Sequence, residues 1–415
     1  MEQIKKTILP NGIKILTETI QRAKSFSLGF WFDVGSRDEN TLNNGITHFM
    51  EHMFFKGTKK RSAKKIVTDI ESCGGYLNAF TSKEQTCYYG RGLVEHFDLT
   101  FDVISDMVQN SVFRQSDIKK EAGVIVDELM DIEDNPEELI YDKFEEILYA
   151  GNSLSYPILG SEKNIRKFNH KDFIDYRKKN YSYDRMLIVS SGGTDHKEVV
   201  KLAEKYFNNH LFKSQLNRKL INKNKTAAKF SIIEKNIQQI HAILGTSTYG
   251  YNDKKRIYVS LLSQLLGEGS SSRLFQSLRE RNGIAYQIHS FLNSFLDTSV
   301  FGVYFSTNEK MIGKAIRLIE NELLKICNTK ISDRELSKAK EALKGSIILS
   351  MENTSNRMIR IAQSELYYGK VKTLEDTINE IDAVKSKNIW DLANEVLDPK
   401  MLSKLFIKPP KVIID

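Results

Sequence analysis

The chain has 415 residues, 40% hydrophobic and 27% charged, with a formal net charge of +8. That length accommodates two or more domains, and the composition excludes a disordered chain. No run approaches the ~20 apolar residues that span a bilayer, and the lysines are scattered without aromatic interleaving, so the charge reads as solvated surface, not a nucleic-acid site.

The opening stretch MEQIKKTILPNGIKILTE reads as a β-hairpin turning at Asn11-Gly12. It lacks the charged segment, long apolar core and small-residue cleavage site of a leader, and the expectation is a cytoplasmic protein. Residues 25–36 alternate as a strand, and 45–55 follow helical spacing, with Asn43 or Asn44 as cap and Gly57 as stop. Residues 77–93 read as a strand pair broken by a polar turn. Amphipathic helices are predicted over 95–109, 117–132 and, behind Pro136, 136–149. A strand at 185–193 closes the first half.

The order then repeats. A strand is predicted over 240–249, helices over 255–267 and 273–286 (the latter ending near Gly283), a strand over 299–307, and helices from 309 onward. Between the halves, the polar, lysine-rich stretch 208–231 has no strong periodicity. The pattern predicts two domains related by duplication, 1–210 and 231–415, joined by a linker at 211–230. Cys73, Cys87 and Cys327 form no CxxC pair and read as reduced thiols.

The stretch HFMEHMFFKGT places His48 and His52 four apart, with Glu51 just before the second. On a helix, residues four apart share a face, so both imidazoles can address one cation. The order H-x-x-E-H is the reverse of the H-E-x-x-H metalloprotease motif, with Glu51 as general base. Histidines packed on an apolar helix are the alternative. A catalytic zinc needs a third protein ligand. The carboxylate-rich helix over 117–132 offers Glu121, Asp127 and Glu128, and spacing alone does not choose among them.

Several ordered blocks carry a resemblance. GSRDE (35–39), NGITHFMEHMFFKGT (44–58), GGYLNAFTSKEQTCYY (74–89), EAGVIVDE (121–128), SYPILGSEKNI (155–165) and SSRLFQSLRERNGIAY (271–286) are similar to the pitrilysin/insulinase family of zinc metallopeptidases. The chain looks most like the short bacterial members akin to the mitochondrial processing peptidase beta subunit. The resemblance implies one Zn2+ per chain on His48, His52 and Glu128, with Glu51 as base and Glu121 supporting the site.

It further implies that Arg279 and Tyr286 hold substrate and stabilise the oxyanion. Read without the family, these are a surface charge and a core tyrosine. Asn78 and Ala79 match the edge strand onto which an extended peptide adds. Glu138 and Asp142, one turn apart, match acidic residues that recognise an arginine near the cut; alone they read as an exposed acidic face. The fold implied is α+β, two homologous domains forming a clamshell, each a mainly antiparallel sheet backed by helices. The implied activity is endoproteolysis of unfolded or presequence-like peptides. A homodimer, or a heterodimer with an inactive homologue, is the expected assembly, and a non-catalytic subunit of a processing or respiratory complex is the rival function.

Overall fold

Gly12, at φ +95°, turns the first hairpin: its N–H donates to the Leu9 carbonyl, and β1 (Ile4–Ile8) pairs antiparallel with β2 (Lys14–Thr19). The computed structural model describes residues 4–208, 218–221, 227–410 and 412, so most of the linker expected at 211–230 lies outside the described residues. Next come β3 (Ser25–Phe32), α1 (Ile46–Phe54), α2 (Ala63–Glu71), and the hairpin of β4 (Tyr76–Thr81) and β5 (Thr86–Leu93). Helices α3 (Phe97–Asn110), α4 (Gln115–Asp134), α5 (Pro136–Leu148), α6 (Glu162–Ile165) and α7 (His170–Asn180) lead to β6 (Met186–Gly192) and α8 (His196–Tyr206).

The second half runs through β7 (Phe230–Glu234), β8 (Ile240–Tyr249), α9 (Arg256–Gly267), a π-helical turn at Phe275–Glu280, β9 (Gln287–Ser294) and β10 (Thr298–Thr307). It ends in α10 (Ile312–Asn328), α11 (Asp333–Ser350), α12 (Thr354–Tyr368), α13 (Leu374–Asp382), α14 (Ser386–Val396) and β11 (Ser403–Lys408). The helix expected over 273–286 stops at Glu280. Gly283, at φ +62°, then redirects the chain into β9, a strand the sequence pattern did not reveal.

Two α+β units result. Among the described residues, the first sheet is ordered β1-β2-β6-β3-β5-β4 and the second β7-β11-β8-β10-β9. Both are antiparallel except for the pairs β2–β6 and β7–β11. The alternation of β3 explains how the first unit is layered. Phe26, Leu28, Phe30 and Phe32 enter the main core beneath the helices, whereas Trp31 faces the opposite side with Leu16, Leu187 and Val189.

A helix from late in the chain covers that opposite side: Met358, Ile361 and Ala362 of α12 pack on Trp31 and its neighbours. In the second unit, Leu139, Ile140, Phe144 and Leu148 of α5 cover Ile243, Val300, Leu405 and Ile407. Each such large side chain taken from water contributes about 1.5–3 kcal/mol. Neither unit is therefore a continuous stretch. The first comprises Met1–Met130, Tyr156–Lys219 and Ser350–Lys372; the second comprises Asp131–Ser155, Leu220–Leu349 and Thr373–Asp415. The linker expected at 211–230 contains the crossing after Lys219, but 131–155 and 350–372 each belong to the unit of the other half.

Helix α1 turns by about 100° per residue. That rotation gathers Ile46, Phe49, Met50, Met53 and Phe54 on one arc, all buried, and leaves His48, Glu51 and His52 on the other. Its start differs from the asparagine cap expected. Gly45, at φ +99°, is the cap residue and offers no side chain. The buried Glu39 reaches over instead, accepting from the Gly45 N–H (2.8 Å), the Thr47 N–H (2.7 Å) and Asn44 Nδ2 (2.8 Å). A Glu39→Ala variant strands these donors at about 1–3 kcal/mol each. Urea unfolding is expected to show a loss of roughly 3 kcal/mol; an unchanged midpoint would show that α1 does not depend on this cap.

Candidate metal centre

Helices α1 and α4 of the first unit supply the candidate site. One donor atom from each of His48, His52 and Glu128 lies within 4.8 Å of the others. His48 Nε2 is 3.8 Å from Glu128 Oε1, and His52 Nε2 is 3.7 Å from Glu128 Oε2. The i, i+4 spacing brings the imidazoles together, with ring centroids 4.6 Å apart. Of the three carboxylates left open by spacing, Glu128 faces the imidazoles, Glu121 lies behind them and Asp127 is exposed.

Glu121 fixes the second imidazole from behind. His52 Nδ1 lies 3.0 Å from Glu121 Oε1, and Lys56 Nζ donates to Glu121 Oε2 at 2.7 Å. Burial works against ionising Glu121, but the hydrogen bonds from His52 and Lys56 prevail and hold the carboxyl below its usual range. An anionic Glu121 keeps the proton on His52 Nδ1 and turns the Nε2 lone pair toward Glu128. Burial, with His52 alongside, pushes the His48 imidazole down to about 3, so it is neutral near pH 7 and its lone pair is available. His48 Nδ1 is buried without a hydrogen-bond partner among the described residues, so no hydrogen bond at that nitrogen fixes the ring.

Glu51 sits beside this cluster. Burial pushes its carboxyl above the usual range; the Thr81 hydrogen bond and His52 oppose the shift, and Glu128 adds to it. The Thr81 hydroxyl at the end of β4 donates to Glu51 Oε2. Two imidazole nitrogens and one carboxylate are the donor set that a catalytic zinc takes while keeping a position open, so these residues fit the metal the motif implies.

The remaining expected residues fall into separate places. Asn78 and Ala79 lie on β4, the outer strand of the first sheet, where Ala79 N–H donates to Asn78 Oδ1. In the second unit, the Arg279 guanidinium stands 5.1 Å from the Phe275 ring and 5.9 Å from the Tyr286 ring. Tyr286 is 70% exposed, so it is not the core tyrosine that its apolar neighbours suggest. Glu138 and Asp142 lie on α5, also in the second unit, with Glu138 Oε1 accepting from Asn135 Nδ2. Lys56 and Thr81 were missed by sequence reasoning. Lys56 continues the His48, His52 spacing by one more turn, a readable signal; Thr81 had none beyond sharing a strand with Ala79.

A two-histidine, one-carboxylate cluster beside a half-buried glutamate is an arrangement that metal-dependent hydrolases use. The comparisons agree. Residues 14–162 match the model for insulinase (peptidase family M16), and 167–343 match the peptidase M16 inactive domain. The chain is 35% identical to the uncharacterized zinc protease YmxG of Bacillus subtilis (strain 168), with 95% of each chain covered. It is 33% identical to an uncharacterized zinc protease of Streptomyces coelicolor, covering 95% of this chain and 87% of that one. A protease from Helicobacter pylori shares the fold with a TM-score of 0.92 at 22% identity, over 99% of this chain and 100% of that one. This chain belongs to the insulinase family, peptidase family M16. No helix among the described residues is long and apolar enough to cross a membrane.

Proposed function

We propose that this protein is a zinc endopeptidase that cuts unfolded peptides, with His48, His52 and Glu128 holding the metal and Glu51 serving as general base. The observation that carries this reading is the convergence of both Nε2 atoms on the two oxygens of Glu128, with the half-buried Glu51 alongside. Bound zinc supplies a positive centre that acidifies a water and polarises the scissile carbonyl. Glu51 takes the proton of the attacking water and passes it to the leaving amine, so no acyl-enzyme forms. Glu121 holds His52 in one tautomer throughout.

The edge of β4 at Asn78 and Ala79, unpaired among the described residues, suits backbone pairing with an extended peptide, which a folded protein cannot offer. In the second unit, Arg279 and Tyr286 present a guanidinium and a phenol side by side, donors that suit a peptide carbonyl and its oxyanion. Glu138 and Asp142, one turn apart on α5, suit a substrate arginine. The reading places the enzyme in the cytoplasm as a homodimer, resembling the processing peptidase beta subunit.

The test is hydrolysis of two quenched fluorescent peptides that differ only in Arg or Ala before the cut. Chelation is expected to abolish cleavage and added zinc to restore it, with the Arg peptide cut faster. Full activity in chelator would refute the metal mechanism, and equal rates on the two peptides would remove Glu138 and Asp142 as an arginine site. A zinc-loaded chain inert on both would favour the non-catalytic subunit.

A further inference from the structure

One contact of Glu51 has no part in the chemistry above. The Thr81 hydroxyl donates to Glu51 Oε2, and among the described residues Glu51 Oε1 has no hydrogen-bond partner. Thr81 is the last residue of β4 and pairs with Thr86 across the hairpin, so its backbone is fixed at the closed end of that ladder. Asn78 and Ala79 lie just upstream on the same strand, and among the described residues β4 pairs with β5 on one side only. Side chains two apart on a strand share a face, which puts Thr81 in line with Ala79.

A carboxylate with two free oxygens samples several orientations, and only some of them aim a lone pair at the attacking water. Tying one oxygen to a fixed donor selects among them, and a misplacement of about 1 Å at such a group costs on the order of 10²-fold in rate. We propose that Thr81 is the positioning residue of the base. Its hydroxyl holds Glu51 Oε2 and leaves Oε1 to accept the proton. Because Thr81 is part of β4, the strand proposed to grip the peptide backbone also aims the base, so the six residues Tyr76–Thr81 serve both binding and chemistry. This rests on the reading of Glu51 as base and β4 as the docking edge.

The experiment compares wild type with Thr81→Val, which keeps the shape and strand preference but replaces the hydroxyl by a methyl, and with Thr81→Ser, which restores the donor. Steady-state kinetics on the arginine peptide, zinc content and thermal midpoint are measured for each. The expected result for Thr81→Val is a fall in kcat of roughly 10–100-fold, with KM within about twofold and zinc content unchanged. Thr81→Ser is expected to recover most of kcat. Thr81→Ala gives the same comparison if the valine variant does not fold. An undiminished kcat in the hydroxyl-free variants, equal losses in Val and Ser, or a loss confined to KM would overturn the proposal. A wild type whose hydrolysis ignores both chelation and Glu51→Gln would instead remove the base assignment, and the role of Thr81 with it.

Discussion

Glu51→Gln is expected to fold, to bind zinc as wild type does, and to hydrolyse peptides about 10²–10⁴-fold more slowly, the usual worth of a positioned general base. The substitution is nearly isosteric. The amide oxygen still accepts from Thr81, so the α1–β4 contact survives. What disappears is the proposed role of taking a proton from water and returning it to the leaving amine. The loss corresponds to about 3–5 kcal/mol of transition-state stabilisation at 1.36 kcal/mol per factor of ten. It should fall on kcat, because the proposed grip on the substrate backbone lies on β4 and not on Glu51. Initial rates on the arginine peptide, with zinc measured in the same samples, check this. Activity within tenfold of wild type would mean that another group moves the proton.

Glu128→Ala has the second largest expected effect, and it acts on the metal. Its side chain is 42% exposed and anchors no core, so the fold should be unperturbed. Its two oxygens, however, are what His48 Nε2 and His52 Nε2 converge on. Removing a direct ligand should lower zinc affinity by more than the roughly 10–100-fold that loss of a supporting partner costs. Glu121→Gln is expected to fall within that smaller range, since its single amide oxygen can keep only one of the bonds from His52 Nδ1 and Lys56. Competition with a chromophoric chelator measures both. Equal, small losses in the two variants would show that Glu128 is not a ligand.

Much of this arrangement was legible because it follows from short-range periodicity. The α1 residues divide into an apolar arc and a histidine arc by rotation alone, and the short apolar run of IHAILGTSTY marks β8 at Ile240–Tyr249. The hairpin at Asn11-Gly12 needs only the left-handed preference of glycine. What escaped is what depends on distant partners. Capping rules look within a few residues of the helix start, whereas the acceptor over α1 is Glu39, six and eight residues before the N–H groups it takes. Amphipathicity says that α5 and α12 bury a face but not which sheet receives it, so their exchange between the halves was unreadable. β9 mixes polar and apolar residues as an edge strand does, and its signal was lost behind the helical pattern before it.

In the site, two histidines and a glutamate are visible as a motif. Selecting Glu128 over Glu121 and Asp127 required the family resemblance, because carboxylates two turns apart on one helix look alike until the opposing imidazoles are in place. Thr81 shows the general difficulty: a threonine on a strand has no chemical signature until the helix that meets it is known.

The most direct test is a crystal structure of the zinc-loaded protein with anomalous data collected across the zinc absorption edge. The expected result is a single strong peak per chain, bounded by His48 Nε2, His52 Nε2 and a Glu128 oxygen, with Glu51 facing it but not bound to it. A peak elsewhere, or none at these three side chains in protein that still cleaves peptides, would contradict the account.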